Sequence, residues 1–223
     1  MHPDFEKNGY LVARDFFDET TVKLASVYFD FKYRLLNYSE EEKNKVKISK
    51  VSPAGDVADS YSFYSDQLIE SIHLNYGHLA SEMLRMRLSP TYTYTRIYER
   101  GSYLEPHIDR NSCEISATCP ITSVNGSPST IFISSYKISK NDGMPERLSL
   151  DEVKKRGDYS EVNLYPGDAL FYKGPERYHW REPLKEDYLI QFFMHFINAD
   201  GKYTDQVFDR RPYSGFPEGY REL

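Results

Sequence analysis

The apolar positions of this chain change their period near Pro90. Before it they recur at helical spacing; after it they alternate. Gly9-Tyr10-Leu11-Val12 reads as a short strand that runs into a turn at Asp15-Phe16-Phe17. Asp18 then supplies an N-cap. Val22, Leu24, Ala25, Tyr28, Phe31 and Leu35 form a broad apolar stripe, which predicts a helix of about twenty residues. Ser39-Glu40-Glu41-Glu42 has capping-box form and predicts a second, short helix. The charged run to Lys50 reads as a solvated face. Pro53, Ala54 and Gly55 break the pattern, so 51–64 is expected to be a loop. Its Tyr61-Ser62-Phe63-Tyr64 either line an entrance to a site or pack on the domain, with packing favoured. From Ser65 to Leu88 helical spacing returns, and Gly77 is expected to bend or divide that helix. His73 and His78 within it are expected to be hydrogen-bonded or exposed.

Beyond Ser89-Pro90, Tyr92, Tyr94, Arg96 and Tyr98 alternate with Thr91, Thr93, Thr95 and Ile97, a strand signature. The same reading places short strands near 91–99, 103–109, 114–121, 129–136, 161–164, 168–173, 178–182 and 187–198. Many short strands in series predict a sandwich or a barrel. A polar insert over 137–160 interrupts them; it holds Asp142-Gly143 and a short helix starting at Ser149-Leu150-Asp151-Glu152. From Asp200 the chain is polar, with Gly and Pro, and reads as an ordered tail over the barrel.

Composition supports this picture. Aromatics reach 15% of 223 residues, with 20 Tyr and 13 Phe, which suits the half-buried surface of a sheet. A length of this order buries one core without a second domain. The net charge of -6 argues against a general nucleic-acid binder, which shows a basic excess or stripe. Cys113 and Cys119 have neither CxxC spacing nor a disulfide framework and are expected to be reduced thiols. The N-terminus has no basic and apolar leader, and no apolar run approaches the ~18 residues that span a bilayer. The expectation is a cytoplasmic protein with no membrane partner.

Candidate chemistry centres on His107-x-Asp109. Two residues apart on an extended segment, both side chains leave one face and can take adjacent positions on a divalent metal. A third ligand is needed. His195 lies mid-strand in Phe192-Phe193-Met194-His195-Phe196 and reads as a core or cross-strand residue. His179 follows Tyr165-Pro166-Gly167-Asp168, an apolar strand and a second turn, which in an antiparallel barrel returns the chain beside an earlier strand. His179 is therefore the better third ligand. Two His and one Asp occupy one face of an octahedral ion and leave three positions open, which suits non-haem Fe(II). Structural zinc usually closes with four ligands and leans on Cys.

These residues carry a family resemblance. Arg96-Ile97-Tyr98-x-x-Gly101-x-x-Leu104-x-x-His107-x-Asp109, then Tyr165-Pro166-Gly167-Asp168-Ala169-Leu170-Phe171, then His179 before Glu182-Pro183-Leu184, resemble the Fe(II)- and 2-oxoglutarate-dependent oxygenases of the prolyl-4-hydroxylase-like branch. Phe5-x-x-x-Gly9-Tyr10-Leu11-Val12 is also similar to the first strand of the phytanoyl-CoA dioxygenase group. The strong similarity covers about 90–197. It implies a mainly β fold, a double-stranded β-helix (jelly-roll, cupin-like) core with N-terminal helices packed on one face. On that basis 1–223 is one oxygenase domain: a helical support region at 1–88, the core at 90–198 and a tail at 199–223.

The resemblance further implies Fe(2+) held by His107, Asp109 and His179, with 2-oxoglutarate and O2 as co-substrates and ascorbate as a reductant. The reaction implied is hydroxylation of a C–H bond in a protein side chain or small metabolite, with release of succinate and CO2. Asp109 stands where related halogenases have a small residue, which favours hydroxylation or another oxidation. The chain departs from the family nine and ten residues after the distal His. There the family has an Arg or Lys for the far carboxylate of 2-oxoglutarate; here stand Tyr188 and Leu189. The substitutes rank as Arg181, on the face of His179, then Arg96, then Lys185. Tyr98 matches a family tyrosine that helps hold the co-substrate, and Gln191 faces the same cavity. Arg110-x-x-Cys113-Glu114 either recognises a polar substrate or is ordinary edge-strand sequence, the latter favoured. The missing base leaves open a second class: a non-catalytic jelly-roll or cupin-like binding module.

Overall fold

The alternating half of the chain folds as strands, and two earlier segments join them. A computed structural model describes residues 1–36, 60–138, 143 and 145–216. After a short helix α1 (Pro3–Asn8), the strands are β1 (Tyr10–Ala13), β2 (Ser60–Tyr64), β3 (Leu88–Glu99), β4 (Leu104–His107) and β5 (Ile115–Pro120). They continue as β6 (Ser129–Ser134), β7 (Tyr159–Leu164), β8 (Ala169–Tyr172), β9 (His179–Arg181) and β10 (Tyr188–Asn198). The other helices are α2 (Glu19–Leu36), α3 (Gln67–Leu84) and α4 (Leu150–Arg156). The helix expected after Ser39 lies outside the described residues.

One sheet runs β1-β8-β5-β10-β3-β2 and the other β4-β9-β6-β7, all neighbours antiparallel. From β3 onward, paired strands pass from one sheet to the other and back, which is the double-stranded β-helix expected. Strand alternation decides what each sheet shows to which side. On β10, Ile190, Phe192, Met194 and Phe196 point outward and join Ile97, Ala117 and Phe171 under the helices. Helix α3 meets them with Ile69, Ile72, Tyr76, Ala80 and Leu84, and α2 adds Ala25 and Phe29. Each large apolar side chain buried there contributes roughly 1.5–3 kcal/mol. The alternate residues Gln191, Phe193 and His195 face the space between the sheets.

The local signals mostly act as read. Asp18 accepts from the Thr21 backbone N–H at 2.9 Å, so it does cap α2. Ser149 and Glu152 close a capping box at the start of α4. Two expectations change. Residues 60–64 are strand β2, not loop, because β3 offers them a free edge. Tyr61 and Phe63 of β2 pack on the helix side, whereas Tyr64 lines the cavity described below. Gly77 neither bends nor divides α3, which runs unbroken through it. A Cβ there would lie 3.6 Å from the Phe196 ring, so its small size brings the helix close to the sheet. Helix α1 follows Pro3 at its first turn and had no periodic signal.

The tail expected after Asp200 lies across the end of the barrel as far as it is described. Arg211 is buried, donates to the Thr91 carbonyl at 2.9 Å, and lies 3.5 Å from Glu70 Oε1. The same Glu70 oxygen accepts from the Thr93 backbone N–H at 2.9 Å. No described helix is long and apolar enough to cross a membrane.

His78 is exposed, but His73 is fully buried, edge-on to Phe196 at 4.4 Å between centroids. Burial pushes its imidazole down to about 3. A histidine that stays neutral when folded costs stability as acid protonates the unfolded chain. Between pH 6.5 and that folded value the loss is roughly 1.4 kcal/mol per pH unit. Urea unfolding at pH 6.5 and pH 5 is therefore expected to show about 2 kcal/mol lost through this residue. His73→Phe should flatten the slope by that amount; an unchanged slope would contradict the assignment.

Candidate metal centre

Strand β4 delivers His107, and the backbone carries Asp109 just past its end. The Asp109 N–H donates to the Gly174 carbonyl at 3.0 Å, which ties it to the turn before β9. His179 opens β9 and is the cross-strand partner of His107, with ring centroids 4.3 Å apart. Asp109 Oδ1 lies 3.6 Å from His107 Nε2 and 3.5 Å from His179 Nε2. The three residues the sequence singled out are thus brought together. One donor atom from each lies within 4.8 Å of the others, a grouping that can hold a metal ion.

The hydrogen bonds behind these atoms set their chemistry. His107 Nδ1 lies 2.8 Å from the Glu105 carbonyl, and His179 Nδ1 lies 3.1 Å from the Arg177 carbonyl. A carbonyl only accepts, so each Nδ1 carries the proton and each Nε2 presents a lone pair. Two lone pairs and a carboxylate oxygen then face one another. That arrangement is stable only with a cation or a further proton between them. Burial alone would raise the Asp109 carboxyl; when His179 and His107 take up the further proton they outweigh it and hold the group well below the usual carboxylate range. Neighbouring adjacent positions on an ion with bonds of about 2.1 Å lie roughly 3 Å apart, so the donor set fits a divalent metal with little adjustment.

Two residues the sequence reading did not use complete the setting. Gly174 makes room for Asp109: a Cβ there would fall 2.3 Å from Asp109 Oδ2 and 2.6 Å from the Cys113 carbonyl. Ser116 donates to Asp109 Oδ2 at 2.9 Å. His195, read as a core residue, is buried but lines the same cavity. Its parity with Gln191 on an alternating strand was the available signal.

The cavity measures about 300 Å³. Its walls include Tyr64, Tyr92, Tyr94 and Phe193 besides the triad. Arg96 also lines it, over the Tyr94 ring at 5.2 Å and the Tyr98 ring at 5.8 Å. Arg96 makes no ion pair among the described residues, and its Nε is buried without a partner. Tyr98 separates this space from a neighbouring cavity of about 360 Å³, which Arg181, Leu189 and Lys185 line. Arg181 is buried, with its guanidinium 5.9 Å from the Tyr98 ring. It donates to the Thr130 carbonyl and to Gln191 Oε1. Gln191 in turn donates to the Tyr98 hydroxyl at 3.4 Å. Leu189 packs with Tyr98 and Leu104 as apolar wall. Lys185 is exposed on the loop between β9 and β10 and does not line the triad's cavity.

At the mouth, Arg110 lies over the Tyr92 ring at 4.6 Å and pairs with Asp209 at 2.8 Å. Asp209 also accepts from the Tyr64 hydroxyl at 2.6 Å. Cys113 is buried, its sulfur 3.1 Å from the Tyr92 hydroxyl, and burial pushes its thiol up. Glu114 turns away and accepts from the Asn198 N–H at 2.8 Å.

No protein-family model matches this chain, and no curated protein does. Solved structures do match. A prolyl-4-hydroxylase from Pseudomonas putida superposes with a TM-score of 0.57 at 10% identity, covering 87% of this chain and 95% of that one. The epimerase SnoN in complex with Fe3+, alpha ketoglutarate and nogalamycin RO gives 0.60 at 11% identity, covering 98% and 93%. HygX from Streptomyces hygroscopicus, with nickel, 2-oxoglutarate and hygromycin B bound, gives 0.56 at 13% identity, covering 88% and 85%. At such identities the likeness is one of fold.

Gly174→Ala is expected to lower unfolding stability by about 1–3 kcal/mol, because its methyl group has nowhere to go but into Asp109 or the Cys113 carbonyl. Chemical denaturation of the variant measures this; a stability equal to the native protein's would rule out the close approach.

Proposed function

We propose that this chain is a non-haem iron oxygenase that uses 2-oxoglutarate and O2 to oxidise a C–H bond of a small molecule or a protein side chain. The observation that carries the reading is the convergence of His107 Nε2, His179 Nε2 and Asp109 Oδ1, with both Nδ1 protons committed to carbonyls. Three protein ligands on one face suit Fe(II) with open positions. The same fold carries iron or nickel with 2-oxoglutarate in the SnoN and HygX structures.

In this reading His107, Asp109 and His179 hold the iron. The iron with its co-substrates supplies the oxidation, releasing succinate and CO2. The chain's own residues bind, orient and exclude water. Arg181 is the proposed base for the far carboxylate of 2-oxoglutarate. It is buried, and its side-chain partners are the neutral Thr130 carbonyl and Gln191 amide rather than an acid. Such a cation gains a charge-assisted pair when an anion arrives. Tyr98 and Gln191 orient the same group, and Arg96, on the opposite side of Tyr98, ranks second. Lys185, exposed on its loop, ranks last. The wall of Tyr64, Tyr92, Tyr94 and Phe193 is the proposed substrate side, where aromatic faces exclude water from the reacting bond. The rim pair Arg110–Asp209 adds polar groups to the same side.

Leu189 favours the second reading, a jelly-roll module that binds without turnover. It places apolar surface where the family has a base. Succinate formation separates the two. Native protein with Fe(II), 2-oxoglutarate, O2 and ascorbate is expected to release succinate even without a prime substrate, and Asp109→Ala is expected to abolish both this and stoichiometric iron binding. No succinate from iron-loaded native protein would favour the binding module. In anaerobic calorimetry with Fe(II), Arg181→Ala is expected to weaken 2-oxoglutarate binding at least about tenfold. Unchanged affinity there, with a loss in Arg96→Ala, would move the clamp to Arg96.

A further inference from the structure

The proposed chemistry uses one oxygen of Asp109 and gives His195 no role, yet both its outer oxygen and that ring belong to one buried chain of hydrogen bonds. We propose that Ser116 and His195 form a relay that holds the Asp109 carboxylate with a single oxygen turned to the metal position. Both are then positioning residues for the triad, and this rests on the triad's being a metal site.

The relay is built by the sheet. Ser116 of β5 and His195 of β10 are directly paired across the strands. On its other side β10 meets β3 where β3 carries one extra residue, so that Thr91 and Tyr92 stand opposite His195. Unbroken alternation along β10, in register with β5 through Met194, His195 and Phe196, sets the imidazole on the inner face. The ring packs against Tyr92 at 4.5 Å and lies parallel to Phe193 at 6.3 Å. Ser116 Oγ lies 2.9 Å from His195 Nδ1 and 2.9 Å from Asp109 Oδ2. A further acceptor near Ser116, the Cys113 carbonyl, is longer at 3.4 Å.

Counting protons fixes the direction. An ionised carboxylate only accepts, so the one hydroxyl proton of Ser116 goes to Asp109. Ser116 Oγ must then accept from its neighbours, which are His195 Nδ1–H at 2.9 Å and the hydroxyl of Tyr172, its cross-strand partner on β8. This sets the His195 tautomer and leaves Nε2 as a lone pair on the cavity wall. Asp109 Oδ1 faces the two histidines while Oδ2 faces Ser116, so turning both oxygens to the metal would break a buried bond. A carboxylate that binds through one oxygen leaves three positions of an octahedral ion open, whereas a two-oxygen mode leaves two.

Co(II) is the probe, under anaerobic conditions, with affinity from titration and ligand geometry from the visible spectrum. Ser116→Ala is expected to bind Co(II) about 10–100-fold more weakly, with an altered spectrum. Ser116→Thr, which keeps the hydroxyl, is expected to restore both. His195→Phe keeps the ring and removes the Nδ1–H, so it weakens binding less than Ser116→Ala, and the double variant should be no weaker than Ser116→Ala alone. In the metal-free native protein, long-range proton–nitrogen correlation is expected to show His195 as the Nδ1–H tautomer. Native affinity and spectrum in Ser116→Ala, or the Nε2–H tautomer in the native protein, would overturn the relay while leaving the triad intact. Additive losses in the double variant would remove His195 from it. A native protein that fails to bind Co(II) stoichiometrically would overturn the triad's assignment and the relay together.

Discussion

Three hydrogen-bond acceptors meet at the inner edge of the smaller sheet, and that meeting constrains everything near it. Two imidazole lone pairs and a carboxylate repel one another unless positive charge lies between them. The fold nevertheless holds them together from four directions. The β4–β9 pairing sets His107 against His179. Backbone carbonyls of Glu105 and Arg177 fix the ring orientations. The bare backbone of Gly174 lets the Asp109 carboxylate lie against the turn. Ser116 holds its outer oxygen. Repulsive groups kept in place this way are characteristic of a site that stores its ordering cost before a ligand arrives.

The rest of the cavity is organised by strand parity. On β10 the residues that point outward are apolar and seal the helices to the sheet; on β3 they are Thr93, Thr95 and Ile97, with Thr93 bonded to Glu70 of α3. Those that point inward are Tyr92, Tyr94, Arg96 and Tyr98 on one strand, and Gln191, Phe193 and His195 on the other. The same alternation that builds the core therefore builds the site. The C-terminal segment completes it. Phe208, Asp209 and Arg210 have φ of 51°, 56° and 63°, a left-handed run in residues that are not glycine. Such backbone persists where neighbours over-determine it. Here the buried Arg211, joined to Ser65, Thr91 and Glu70, anchors the strained turn and leaves Asp209 at the mouth beside Arg110 and Tyr64.

Much of this was legible from residue order. The change of period at Pro90 marked the strands of the barrel to within a few residues. Asp18 and the Ser149–Glu152 box marked helix starts, because capping is a local interaction. The triad was legible because β4 and β9 belong to a topology in which a strand, two turns and a return place His179 beside His107. What escaped depends on partners distant in sequence. Strand β2 looked like a loop because its stability comes from the edge of β3. Gly77 looked like a breaker because the gain it offers lies in Phe196, more than a hundred residues away. The full burial of His73 was not legible because nothing local reports that α3 is covered on that side.

The sequence by itself determined the elements, the pairing of His107 with Asp109, and the absence of a base at Tyr188 and Leu189. These follow from side-chain chemistry and from spacings shorter than a strand. Only the tertiary structure decided which atoms of those residues face each other, which arginine lies on which side of Tyr98, and that Ser116, Gly174 and His195 serve the same carboxylate. Those are contacts between strands far apart in the chain, fixed by register, and a one-residue slip would send the same side chains to the opposite face.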